Sequence, residues 1–430
     1  MDSSSTLSYP AAGGCLSLYA GKSSCGAVPR FVVSLTMHVD RQVLEDAANE
    51  VIFLFPHLRV RLVKDAGAYA FAPEESRIHV RDGLGGGDVL GSGPDPYLFR
   101  ISCSFKTVCF DVHSSLLDER GMLAFVKSVI FRYIQLSGYE IDNDGSVRCL
   151  KGELPRESAD DPFDAMEDIP ASRPAWYMDA KAFNIPLPES DAAGCHVVQM
   201  QIPLSRLRSH AREYADVPET FISPIVSHAL LQEYGAPMAA GEYVVAAVSV
   251  NLRRFFPTLS LKPFSINLSL AYNRKFGDYP FNTILMSQKK FIEAQLKPDA
   301  LAYNALRTVA DYEKISEGKS QDERMRLAAD AAARQAKSST YMLHNAGTVG
   351  MPSSMMRYVT EFYPIYVPSV HPFVLSSVIF GNVLVLTAAV KEGCRSAGLC
   401  RRIVSLMNEN DICAFISDEF DFVPMKYKPL

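Results

Sequence analysis

Along this chain the apolar residues switch repeatedly between a spacing of two and a spacing near 3.6, and that switching constrains the fold most. Strand side chains alternate between faces, whereas helical ones return to the same face every three or four residues, so each segment declares its type. After a Gly/Ser-rich lead to about residue 28, residues 31–37 alternate as a strand. Asp40 then caps a helix that carries Val43, Leu44, Ala47 and Val51 on one face. Residues 58–63 and 68–71 form a hairpin around the turn signal Asp65-Ala66-Gly67, and 99–104 with 106–114 form another. A helix over 121–138 follows, closed by Gly138. Residues 142–173 are rich in Asp, Glu and Pro and read as a surface connection, and 187–195 form a second polar break.

Beyond that break the same mixture returns. A strand at 196–202, helices at 203–214 and 219–234, and strands at 243–250 and 265–272 precede helices near 281–295 and 322–337. Alternating strands and one helix, 398–409, finish the chain. The stretch 373–389 is interrupted by Ser376, Ser377, Gly381 and Asn382, so it reads as two strands and a turn, because a membrane span needs about 20 largely unbroken apolar residues. Each half mixes strands and helices. The expected class is therefore α/β with mixed sheets, in two lobes, 1–186 and 196–430.

Composition excludes several functions. Of 430 residues 48% are apolar and 21% charged, which rules out a disordered or fibrous chain. The net charge is -5 with scattered basic residues, so no patch is built for a phosphate backbone and nucleic acid is not an expected partner. Nine cysteines without CxxC pairs fit free thiols in a reducing cytosol, with neither a disulfide framework nor a metal site. The start at Met1-Asp2-Ser3 lacks a basic and apolar leader, so a cytoplasmic location without a membrane span is expected. The Gly85-Gly86-Gly87 run lacks a GxxxxGK[ST] pattern and reads as a connecting loop.

Four segments then carry a resemblance. Val112-His113-Ser114-Ser115-Leu116-Leu117-Asp118-Glu119-Arg120-Gly121 lies at a strand end before a helix and resembles the HHxxxDG signature of condensation domains. The stretch from Val248 to Pro257, with Asn251-Leu252-Arg253-Arg254-Phe255-Phe256-Pro257, resembles the VNLRxFFP element of the bacterial alcohol acetyltransferase-like branch. His344-Asn345-Ala346-Gly347 is similar to that family's SNLG segment, and 55–62 to its FPxxxVRL element. In this order, across nearly the whole chain, they resemble the chloramphenicol acetyltransferase and condensation-domain superfamily.

That resemblance implies two chloramphenicol acetyltransferase-like lobes in a V with a tunnel at their interface. It implies an acyl thioester, on CoA or a carrier protein, as co-substrate rather than a bound cofactor, and a small-molecule alcohol or amine as acceptor. In the family a histidine deprotonates the acceptor, because a hydroxyl is a poor nucleophile at neutral pH. Here the spacing back from Asp118 places Ser114 at that position and His113 at the preceding one. A bulge at the strand end would bring His113 into use instead. Ser114 as an acylated nucleophile would need a base beside it.

The family role of Asp118 is to tie its loop to an arginine, for which Arg253 is the counterpart; helix capping alone is the alternative. Asn251, Asn345 and Gly347 stand as supporting residues. Glu119 replaces the family's glycine and either crowds the tunnel or sits on the first helical turn. His344 and His371 are candidates for a displaced base, with structural roles as the alternative. His228 lies within an apolar helix and reads as packed there, and Lys289-Lys290 reads as a solvated face or a contact for a CoA phosphate. Two functions follow as expectations: an acyltransferase with a degenerate site, or a catalytically impaired homologue that binds a ligand or partner.

Overall fold

The computed structural model describes residues 7–19, 27–91, 95–151, 160–174, 180–186, 194–210, 218–392, 394 and 396–427. Two sheets organise them. The first has five strands in the order Val359–Ile365, Arg30–Leu35, Thr107–Val112, Phe99–Ser104 and Arg81–Asp82. The second runs Ser265–Tyr272, Glu242–Asn251, Tyr341–Thr348, Phe373–Phe380, Val383–Lys391, Cys195–Pro203 and Phe415–Phe422, with Lys181–Ala182 added beside Glu242–Asn251. Each sheet anchors one lobe, and both lobes mix strands with helices.

The chain crosses between the lobes. Val359–Ile365 lies beyond residue 196, yet it pairs antiparallel with Arg30–Leu35 as an edge of the first sheet. Its excursion separates Tyr341–Thr348 from Phe373–Phe380, which pair in parallel and therefore need a crossover connection. Lys426–Tyr427 also returns, to pair with Val89–Leu90. The apolar core of the first lobe consequently includes Ala346, Val349, Val374 and Tyr427 from the second half of the chain.

Several elements differ from the sequence expectation in a physically clear way. The lead to residue 28 contains a helix, Ala12–Tyr19, hidden by its glycines. Gly14 is required there, because a Cβ at that position would stand 2.5 Å from the carbonyl oxygen of Ser115. A further helix, Pro298–Ser316, opens on a proline at its first turn, where the missing N–H costs nothing. The helix expected over 121–138 begins at Glu119 and runs to Leu136, with Asp118 as its cap. Of the expected helix 203–214, Leu204–His210 is described and 211–214 lie outside the described residues. No helix among the described residues is long and apolar enough to cross a membrane.

Candidate functional site

The helix Glu119–Leu136 starts where the strand Thr107–Val112 and its following loop end, and Asp118 is the hinge. Its Oδ1 accepts from the backbone N–H groups of Arg120 and Gly121, satisfying two donors that a helix start leaves free. Its Oδ2 accepts from Asn251 Nδ2 at 2.9 Å, from the Phe264 N–H at 2.9 Å and from the Arg253 guanidinium. Arg253 also donates to the carbonyl oxygens of Ser260 and Lys262, so its charge is placed by backbone as well as by Asp118. This buried carboxylate pins the first lobe's helix to the 251–264 segment of the second lobe.

One residue on, the Glu119 side chain points into the seam between the lobes and is 7% exposed. His344 Nδ1 lies 3.1 Å from Glu119 Oε1. Ser249 Oγ donates to the same oxygen at 3.1 Å and Ser265 Oγ to Oε2 at 3.3 Å. Burial pushes this carboxyl up, but the hydrogen bond and charge of His344 more than offset it, and the group sits below its ordinary value. An ionised carboxylate only accepts, so Nδ1 carries a proton. Nε2 is the nitrogen that a neutral imidazole with this tautomer would leave free to accept, and it has no hydrogen-bond partner among the described residues.

The imidazole is also clamped from its face. The Tyr366 ring stacks on it with centroids 3.7 Å apart and planes 9° from parallel. The Tyr366 hydroxyl bonds to Glu119, and burial followed by the charges of Glu119 and Asp118 raises it well above its ordinary value, so it stays a neutral donor. A β-bulge after Asn345 shifts the register of Tyr341–Thr348 against Phe373–Phe380. Gly347, at φ +79, makes the turn there and lies against the Arg120 guanidinium.

His113 does not face this seam, which corrects the expectation of a base at that position. Its ring is wholly buried against Tyr427, with centroids 4.1 Å apart, and Nδ1 is 2.7 Å from Ser115 Oγ. Burial lowers it to about 3, so it stays neutral at physiological pH without reaching a substrate. No bulge carries it outward, because the strand simply ends at Val112. Ser114 donates both its N–H, at 2.8 Å, and its hydroxyl, at 3.0 Å, to the Ala27 carbonyl oxygen, and among the described residues no base bonds to that hydroxyl.

The other histidines have partners of their own. His371 Nε2 lies 3.0 Å from Ser339 Oγ and 3.2 Å from the Ser339 carbonyl oxygen, and burial lowers this histidine below its ordinary value. His228 sits between Tyr272 and Gln232 on the helix Glu219–Tyr234. Lys289 faces Glu293 one helical turn on. Asn345 points to the opposite face of its strand from His344, where its side chain bonds to Glu219. Glu219 is buried, its Oε1 has no partner among the described residues, and burial raises it to about 7.

Tyr366 escapes sequence reading, and so does the partner of Glu119. Glu119 carries a signal, a carboxylate where the resemblance has glycine, but its partner lies 225 positions away. Two concavities, of about 630 Å³ beside Phe53 and Leu150 and about 140 Å³ beside Tyr272 and Phe281, do not include the His344–Glu119 pair.

No protein-family model and no curated protein matches this sequence. Solved structures do match. Polyketide synthase associated protein 5 from Mycobacterium tuberculosis aligns over 94% of this chain and 98% of its own, with a TM-score of 0.63 at 13% identity. TRI101 of F. graminearum, complexed with coenzyme A and T-2 mycotoxin, aligns over 96% and 99%, with a TM-score of 0.59 at 10% identity. The condensation domain of the Monacolin K polyketide synthase MokA aligns over 94% and 97%, with a TM-score of 0.57 at 10% identity. At such identities the likeness is one of architecture, and it spans both lobes: this chain has a two-lobed, mixed α/β fold like that of these condensation-domain and TRI101 structures.

Proposed function

We propose that the protein moves an acyl group from a CoA or carrier-protein thioester to a hydroxyl or amine of a small molecule, with His344 as the general base. The single observation that carries this reading is the Nδ1 to Oε1 bond between His344 and Glu119 in the seam between the lobes. Glu119 fixes the tautomer and stabilises the imidazolium that forms, the role a buried carboxylate has beside a catalytic histidine. Nε2 takes the acceptor proton as the acceptor's lone pair attacks the thioester carbonyl carbon. The C–S bond then breaks, and the departing thiolate recovers that proton as a free thiol. The base lies on the strand Tyr341–Thr348, away from Ser114, the position that the resemblance assigns to it. The coenzyme A held by TRI101 supports a CoA thioester as donor.

Thiol release from acyl-CoA and acyl-pantetheine, measured with a panel of alcohols and amines, tests this directly. Glu119→Gln should keep the fold but present the wrong tautomer or lose the imidazolium partner, lowering kcat by about 10² to 10⁴. An unchanged kcat in that variant removes the dyad from the chemistry. A second reading, a ligand-binding homologue without turnover, is favoured by one observation: the Ser114 hydroxyl is spent on Ala27. Saturable CoA binding with no thiol release across the panel would select it.

A further inference from the structure

A chain of forced hydrogen bonds runs through the second lobe to a cavity. It begins at Arg402, whose guanidinium has donors only. Arg402 Nε donates to Gln232 Oε1 at 2.7 Å, so the other end of that amide is its NH2 group, and Gln232 Nε2 donates to His228 Nε2 at 3.0 Å. His228 therefore accepts at Nε2 and carries its proton on Nδ1, which lies 3.0 Å from the Tyr272 hydroxyl. With its oxygen accepting from Nδ1, that hydroxyl keeps its own hydrogen to donate, and no acceptor among the described residues takes it. Burial lowers His228 below its ordinary value and raises Tyr272 to about 12, so both rings are neutral. Tyr272 is buried, and a buried tyrosine hydroxyl ordinarily finds a partner for its hydrogen.

Both rings line the cavity of about 140 Å³, whose other walls include Pro224, Ile225, Phe276, Phe281, Ile284 and Leu406. An apolar cavity of about 150 Å³ holds a benzene-sized molecule. Gly277 keeps the space beside His228 clear, since a Cβ there would stand 3.3 Å from its Cε1. The cavity is remote from the seam. Tyr272 ends the strand Ser265–Tyr272, which pairs with Glu242–Asn251 without a register shift, and Ser265 at the other end reaches Glu119. The length of that strand puts about 23 Å between the two. We propose that this cavity is a second ligand site, taking a compact neutral molecule about one ring in size whose carbonyl oxygen accepts from the Tyr272 hydroxyl. The walls set the apolar body, and the free hydrogen sets the single acceptor.

Isothermal titration of the full chain compares acetophenone with α-methylstyrene, which has the same shape but a CH2 group in place of the carbonyl oxygen. Acetophenone should bind, and Tyr272→Phe should weaken it about two- to tenfold, the contribution of one hydrogen bond, while leaving α-methylstyrene unchanged. Ile284→Phe, which fills the cavity, should weaken both. His344→Ala should leave both unchanged, because the site does not depend on the proposed base. No binding of acetophenone to the wild type, an affinity that survives Tyr272→Phe, or an equal loss for both probes in that variant overturns the proposal. Loss of acetophenone in His344→Ala places the ligand in the seam and overturns it equally. A second measurement needs no variant of Tyr272. Imidazole nitrogen NMR of the wild type should show His228 protonated at Nδ1 and unprotonated at Nε2, and the opposite tautomer overturns the proposal. The site stands whether or not acyl transfer is found.

Discussion

Replacing Glu219 by glutamine should change how stability depends on pH. The carboxyl is buried, bonds to Asn345, and leaves Oε1 without a partner; burial raises it from the ordinary 4.5 to about 7. Between those values the folded protein holds a proton that the unfolded chain has released. Stability therefore falls as pH rises from 4.5 to 7. The gap of about 2.5 pH units, at 1.36 kcal/mol each, amounts to about 3 kcal/mol. Glutamine keeps the shape and a partner for Asn345 but cannot ionise. Urea unfolding at pH 5, 6, 7 and 8 should show the two proteins similar at pH 5, with Glu219→Gln ahead by about 3 kcal/mol at pH 8. Parallel pH profiles would mean that Glu219 has an ordinary, water-reachable carboxyl, and the buried arrangement behind Asn345 would be wrong.

Other consequences follow from the same contacts. His113, lowered from 6.5 to about 3, contributes in the opposite direction: the unfolded chain takes up a proton first, so stability falls as pH drops from 6.5 toward 3. His113→Gln should flatten that acid limb in urea unfolding, and a retained limb would contradict the buried placement. Asp118→Ala removes a helix cap and leaves the Arg253 guanidinium without its carboxylate, at a cost of about 3–5 kcal/mol. Combined with Arg253→Met, the loss in urea midpoint should be smaller than the sum of the two single variants.

Much of this architecture is legible in the sequence because local patterns are decided locally. The alternation in 265–272 and the 3.6 spacing in 281–295 each coincide with an observed element. Asp118 reads as a cap from its place before an apolar helical run, and Arg253 stands out within a motif of its own. Long-range placement is different. Nothing local says that Val359–Ile365 joins the other lobe's sheet, since an alternating strand pairs with whichever edge the crossover reaches. The helix Ala12–Tyr19 is concealed because its glycines are poor helix formers, and they serve close approach, Gly13 to Pro263 and Gly14 to Ser115.

The candidate site shows the same division. Spacing from Asp118 separates Ser114 from His113 in the count of residues, but the direction of each side chain depends on where the strand stops, at Val112. The pairing of Glu119 with His344 brings together segments 225 residues apart, and the stacking of Tyr366 depends on a loop between two sheets. A lone histidine after a strand pattern carries no mark of its partner. Only the folded seam supplies it.

The most direct measurement is the rate of thioester consumption in His344→Ala beside His113→Gln, under conditions where both variants are folded by circular dichroism. With Nε2 of His344 as the base, His344→Ala lowers kcat/KM by about 10² to 10⁴, and His113→Gln stays near the wild-type rate. Loss of turnover in His113→Gln with His344→Ala still active would contradict the assignment.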